Sequence, residues 1–167
     1  MKRKLTLNLQ QFATVSEGVY PAWMVKFLID NKPVVELEEI GLTVDGVIID
    51  WYSYDMEGWI SRLLTGKGFT MNIRGKRHVG DPGNDMVIDL LDKMGQDANK
   101  DCSLEFPNGA KIEFTAVIDV KNAGMGATTD VAPVEFDALS TGKPTFTPAP
   151  TTPPVTPTNV TAQKDSK

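Results

Sequence analysis

The stretch LEFPNGAKIEFTAVIDV, Leu104–Val120, decides the fold. Leu104 and Phe106 share one side. Pro107-Asn108-Gly109 then offers a tight turn, because Asn-Gly tolerates positive φ. Past it, Ile112, Phe114, Ala116, Ile118 and Val120 keep to one side, while Lys111, Glu113, Thr115 and Asp119 keep to the other. A period of two with one apolar face predicts a hairpin that is wet on one side, hence an antiparallel sheet.

The same grammar recurs outward from this hairpin. Ile40, Leu42 and Val44 alternate, Asp45-Gly46 reads as a turn, and Val47 to Trp51 reads as the return strand. Phe69, Met71 and Ile73 alternate with Thr70, Asn72 and Arg74, and Val134, Phe136 and Ala138 with Glu135 and Asp137. Residues Val25–Val35 offer a further strand. Helical spacing is confined to Met86, Val87, Leu90, Leu91 and Met94. Asp81 suits the N-cap of that helix, Pro82 its first position and Gly95 its C-terminal cap. Gly58–Gly66 reads as a short helical turn with Trp59 and Leu63 on one side. The expected fold is mainly β: an antiparallel β-sandwich or barrel with one flanking α-helix, an extended N-terminal arm and a Pro/Thr-rich C-terminal tail.

Three segments follow from the composition: an arm at 1–16, a β-domain at 17–143 and a tail at 144–167. In the arm, Lys2 and Arg3 precede Leu5, Leu7 and Leu9, whose period of two suits an extended strand. Thr6, Asn8, Gln10 and Gln11 break the apolar run that a secretory signal needs. Six of the 11 prolines fall between Pro144 and Pro157, interleaved with threonine, a composition that favours solvated, extended chain. Asn159-Val160-Thr161 matches a glycosylation sequon, which carries little weight without a signal segment. No run approaches the roughly 18 apolar residues of a membrane span.

Charge and chemistry are sparse. The net charge is −5, from 17 basic and 22 acidic residues. An acidic body is ill suited to clamping phosphate backbones and better suited to letting nucleic acid slide past. One cysteine, Cys102, excludes an internal disulfide, and with one histidine, His78, it cannot build a His/Cys zinc site. Gly75 and Gly80 have P-loop spacing, but Asp81 stands where the loop needs lysine and would repel phosphate at the helix start. Asp81, Asn84, Asp85 and Asp89 lack the alternating spacing of a calcium loop. Neither His78 nor Cys102 has the neighbours of an activated nucleophile or base, so no enzyme, metal or cofactor is expected. Lys76, Arg77 and His78 read as a solvated basic loop or as a charge partner for an acidic neighbour. Trp51, Tyr52, Tyr54 and Trp59, interleaved with Asp50, Asp55 and Glu57, read equally as core or as an interface loop.

Two long runs carry a resemblance. EGWISRLLTGKGFTMNIRGKRHVGDPGNDMV and FPNGAKIEFTAVIDVKNAGMGATTDVAPVEFDALSTGKPTFTP resemble the tail tube (major tail) proteins of long-tailed, non-contractile bacteriophages, over roughly Val35 to Pro148. GKRHVGDPGND and GKPTFTP are the most specific pieces, and LNLQQFA resembles the start of many virion proteins of phages of Gram-positive hosts. The resemblance implies a structural virion protein, assembled in the bacterial cytoplasm. Six copies would form a ring, and rings would stack into a tube around a tape-measure protein, bounded by tail terminator and distal tail proteins. DNA would later pass through without specific binding. It also implies ring contacts from an N-terminal arm, placed at Lys2, Arg3, Leu5, Leu7 and Leu9, and from a loop, placed at Trp51, Tyr52, Tyr54 and Trp59. Lys76 and Arg77 join this set as charge partners. Some tail tube proteins carry a surface immunoglobulin-like domain after such a Pro/Thr linker. Two alternatives stay open: a terminator or distal-hub protein of the same tail, and a carbohydrate- or cell-wall-binding β-sandwich whose Trp/Tyr cluster stacks on sugar.

Overall fold

The Pro107-Asn108-Gly109 turn forms as its residues require. In the computed structural model, which describes residues 19–150, Gly109 sits at φ 84° and the Asn108 side chain accepts a hydrogen bond from the Ala110 amide at 3.0 Å. The turn joins β5 (Asn99–Glu105) to β6 (Lys111–Ala123). Beyond β6 lie β7 (Pro133–Thr147), then β4 (Ile60–Lys76), then β3 (Leu37–Tyr52) at one edge. On the other side of β5 lie β1 (Lys26–Ile29) and the two-residue β2 (Lys32–Pro33). All seven strands pair antiparallel in one sheet. Residues Val25–Val35 supply β1 and β2, turned by Asp30 and Asn31 at φ 47° and 61°.

The sheet curls on itself. Phe27 in β1 and Phe136 in β7 are separated by two strands, about 14 Å in a flat sheet, yet their ring centroids are 6.0 Å apart. Phe69 in β4 packs edge-on against Phe114 in β6 at 4.8 Å. Alternate residues of the strands therefore meet inside: Met71 and Ile73, Phe114, Ala116 and Ile118, Val134, Phe136 and Ala138. Their odd or even spacing is what turned the Leu104–Val120 hairpin toward a common core. Residues 34–36 carry the chain from the β2 edge to the β3 edge, and the Glu36 carbonyl accepts from the Lys76 amide at 2.9 Å, which brings the two borders together.

Helix α1 (Pro82–Asp89) flanks one end and buries Val87. Asp81 caps it by accepting from the Asn84 amide at 2.8 Å, and Pro82 opens it. The Asp81 carboxylate also reaches the Val35 amide at 3.5 Å, so the cap ties the helix to the crossing segment. Asp81→Ala is expected to cost about 1 kcal/mol, lowering the melting temperature by roughly 4 °C in a thermal scan.

Four expectations are corrected by the structure. The helix does not run to a Gly95 cap: it ends at Asp89 with Leu90 as its C-cap. Amides of Leu90, Leu91 and Lys93 bond three residues back, so the last turn tightens, and Met94 is left 86% exposed. Gly95, at φ 61°, instead opens the 3₁₀ turn Gly95–Ala98. Gly58–Gly66 is no helix, because residues 60–66 begin β4 and pair with β3. Asp45-Gly46 does not turn: β3 passes through it, paired to Gly68 and Lys67. The β-domain does not stop at 143, since β7 reaches Thr147. Gly142 (φ 73°) and Pro144 lie in a bulge there, where residues 142–144 face Phe114 alone, so proline displaces no ladder bond.

Candidate assembly interface

Register locates the site. β4 pairs with β7 only from Thr70 to Lys76, but with β3 over its whole length. From Val44 to Phe69 the chain is therefore a two-stranded ribbon reaching beyond the barrel. Ile48 opposes Leu64 and Ile49 opposes Leu63, so successive apolar pairs point to opposite faces. Val47, Ile48, Ile49, Leu63 and Leu64 are all exposed. A ribbon of two strands is marginal in water by itself, and one that is apolar on both faces is stable only when covered. Asp50 and Arg62 form the one cross-strand ion pair along it, at 3.4 Å.

The aromatic cluster crowns this ribbon. Trp51 and Tyr52 end β3, Tyr54 lies in a 3₁₀ turn, and Glu57 (φ 50°) with Gly58 (φ 85°) reverses the chain before Trp59. Tyr54 is 108% and Trp59 75% exposed, and none of the four enters the core. Ser53 donates to the Asp55 carboxylate and holds its pKa below the usual value. The sequence hides Val47, Ile48 and Ile49 behind the false turn at Asp45-Gly46, and Leu63 and Leu64 behind the helical spacing of residues 58–66. Val47-Ile48-Ile49, apolar at three successive positions, was the available signal for a strand covered on both faces.

Both ends of the described chain leave from the same pole as the ribbon. Lys26 opens β1 opposite Glu105, and Pro150 lies against Gly109. Between them the barrel opens into an apolar cavity of about 700 Å³, walled by Leu42, Val44, Phe69, Leu104, Ile112 and Phe146. Lys67, Lys143 and Ser140 are its polar lining residues. The arm residues Lys2, Arg3, Leu5, Leu7 and Leu9, and tail residues 151–167, lie outside the described residues.

The basic loop sits at the far pole and is engaged with its own chain. Arg77 donates to the Asn84 side chain at 2.8 Å, the Asp85 carboxylate at 2.5 Å and the His78 carbonyl at 3.0 Å. The Arg77 hydrogen bond holds the Asp85 carboxyl below its ordinary pKa. Asn84, fully buried, donates onward to the Lys76 carbonyl at 2.9 Å. Lys76 lies 3.5 Å from Glu38, and His78 3.9 Å from Glu36. Arg77 is thus a strut holding α1 to β4, separate in space from the aromatic cluster. At the helix start Asp81 and Asp85 take the Asn84 and Gly80 amides that a phosphate would need. Among the described residues no group of three His, Cys, Asp or Glu is placed to hold a metal. Cys102 is buried, and burial chiefly pushes its thiol up to about 12, the opposite of activation.

The outer face of the sheet is a polar ladder. Asn72 donates to Asp137 at 2.6 Å, Thr115 to Asp101 at 2.9 Å, and Lys121 pairs with Asp119 and, at 3.7 Å, Asp137. It is the wet side that the Leu104–Val120 alternation required.

The backbone path is similar to those of solved structures. A chain in the virion of a native gene transfer agent particle superposes with a TM-score of 0.60 at 17% identity, covering 78% of this chain and 100% of that one. A chain from the sheath/tube terminator of an extracellular contractile injection system gives 0.57 at 13%, covering 79% and 99%. A chain from the tube-terminating cap of the anti-feeding prophage gives 0.56 at 10%, covering 79% and 93%.

The chain has the tail tube and terminator fold.

No family model and no curated protein sequence matches it. The likeness is one of fold, carried by a backbone path that covers nearly the whole of each neighbour. No helix among the described residues of this tube-fold chain is long and apolar enough to cross a membrane.

Proposed function

We propose that this chain is a non-catalytic structural virion protein, a tail tube subunit that assembles in the host cytoplasm into hexameric rings. The rings stack around a tape-measure protein and later pass DNA. The observation that carries the reading is the ribbon: a two-stranded projection with apolar residues on both faces needs protein on both faces, and only an assembly supplies that to every copy. The outer edge of the 16-residue strand β3, which no other described strand pairs with, gives neighbouring copies a border to pair with. The acid-rich ladder of the outer face suits a wall along which DNA slides without adhering. A chain in the tail of an empty gene transfer agent particle, refined with C6 symmetry, has the same fold at a TM-score of 0.58, which supports six-fold rings.

Electron microscopy of purified, concentrated protein tests this. Stacked tubes are expected, and particles that stay monomeric at every salt and protein concentration overturn it. A second reading, a tail terminator, is favoured by the equal likeness to a terminator and a cap protein. It predicts single rings that do not stack.

A further inference from the structure

We infer that the β5–β6 turn is a self-modification site, at which folded chain converts Asn108 to aspartate and isoaspartate through a cyclic imide. The inference does not depend on whether rings form. It needs only water as co-reactant.

Two features of the turn supply the chemistry. Among the asparagines of the chain only Asn108 precedes a glycine, so only here does the attacking backbone nitrogen belong to a residue with no side chain to obstruct it. The Asn108 carboxamide is also held in place. Its Oδ1 accepts from the Ala110 amide at 3.0 Å, which folds the side chain forward over the Gly109 peptide. Attack at Cγ drives negative charge onto Oδ1, and the Ala110 N–H already points at that atom, as a donor in an oxyanion hole does.

The step balances within the chain. The Gly109 nitrogen bonds to the Asn108 Cγ, the Cγ–Nδ2 bond breaks, and the proton lost from Gly109 leaves with ammonia. Water then opens the five-membered imide on one side or the other. One opening leaves an ordinary aspartate at position 108. The other leaves isoaspartate, whose main chain runs through the side chain and is longer by a carbon.

The Gly109 amide donates to the Phe106 carbonyl at 2.9 Å, and this bond must open before the nitrogen can attack. Such an opening is confined to a turn whose tip, Gly109, is exposed at the ribbon pole. Other asparagines lack these features. Asn84 is fully buried in α1, Asn72 is paired within β4, and both ends of the Asn122 carboxamide are bonded to the Met125 backbone. Conversion has structural consequences. The imide has no N–H to return to Phe106, and isoaspartate lengthens a turn that must close the Glu105–Lys111 pair. Either product adds a carboxylate to the ribbon pole.

Incubation of the full folded chain at mildly alkaline pH, followed by peptide mass spectrometry, tests this. The Asp101–Lys111 tryptic peptide is expected to gain about 1 Da and to split into aspartate and isoaspartate forms. Position 108 should convert at least roughly tenfold faster than any other asparagine, a modest share of what an aligned oxyanion donor contributes. Digestion in heavy-oxygen water marks conversions that occur during work-up. Asn108→Asp keeps an acceptor for the Ala110 amide and should abolish the fast mass gain of the whole chain. No gain at position 108, a gain only after unfolding in urea, equal rates at several asparagines, or aspartate without isoaspartate each overturns the inference. The peptide map of the unaltered chain decides the matter even if the variant fails to fold.

Discussion

Replacing Ile49 by lysine and Leu63 by aspartate will leave the barrel folded and raise the concentration needed for assembly by roughly 30- to 700-fold. The two residues are directly opposed in the β3–β4 register and share one face of the ribbon. Both are exposed in the single chain, so neither contributes to its core. Opposite charges placed across an antiparallel pair attract, so the ribbon keeps its pairing while losing its apolar face. What is lost is burial against another copy. Two such side chains, partly buried in an interface, contribute about 2–4 kcal/mol, which converts to the stated range at 1.4 kcal/mol per tenfold. Light scattering against protein concentration reads the shift, and a thermal scan checks that the melting temperature stays within about 2 °C, as expected for exposed sites. Assembly at the concentration of the unaltered chain would show that the ribbon's apolar face is not an interface.

That ribbon also shows where reading a sequence stops. The Leu104–Val120 hairpin was legible because its turn residues and its alternation agree, and both depend only on neighbours along the chain. The cap at Asp81 and Pro82 was legible for the same reason. β3 and β4 were misread because local signals disagreed with a pairing set elsewhere. Asp45-Gly46 has turn chemistry, yet fifteen of the sixteen residues of β3 find partners in β4, and a turn at that point would forfeit the pairs beyond it. Residues 58–66 have a faint helical spacing that the same ladder overrides. In the helix, Leu91 and Met94 continue the spacing, but Val87 and Leu90 already fill the space against the barrel, so the later positions find no core to enter. Arg77 looked like a surface charge because its partners, Asn84 and Asp85, are brought back to it only when α1 docks on the end of β4. The aromatic cluster was identified as a group, but its place at the tip of a projecting ribbon depends on how far β7 extends beside β4, a tertiary fact with no local signature.

Gly75→Ala and Gly83→Ala will each destabilise the fold by about 3 kcal/mol, lowering the melting temperature by roughly 10 °C. Neither glycine is needed for a turn, since neither has positive φ. Both are needed for space. A methyl group at Gly75 would collide with the Glu36 carbonyl oxygen and lie 2.9 Å from the Leu37 Cα. One at Gly83 would collide with the Pro33 carbonyl oxygen, 2.7 Å from the carbon that bears it. These atoms are backbone, so no side chain can rotate away, and the main chain itself must move. The chain they press on is residues 33–37, which leaves β2 at one edge of the sheet, crosses to β3 at the other, and is held midway by the Lys76 amide on Glu36 and by Asp81 near Val35. Displacing it loosens both the docking of α1 and the first pairs of β3. Gly80→Ala probes the contrasting case: nothing lies within 4 Å of its added methyl group, and only its φ of 92° is strained. It should cost about 1 kcal/mol, from backbone strain alone. Chemical denaturation of the three variants separates collision from strain, and equal losses at all three positions would mean that the crossing segment yields freely and does not brace the barrel.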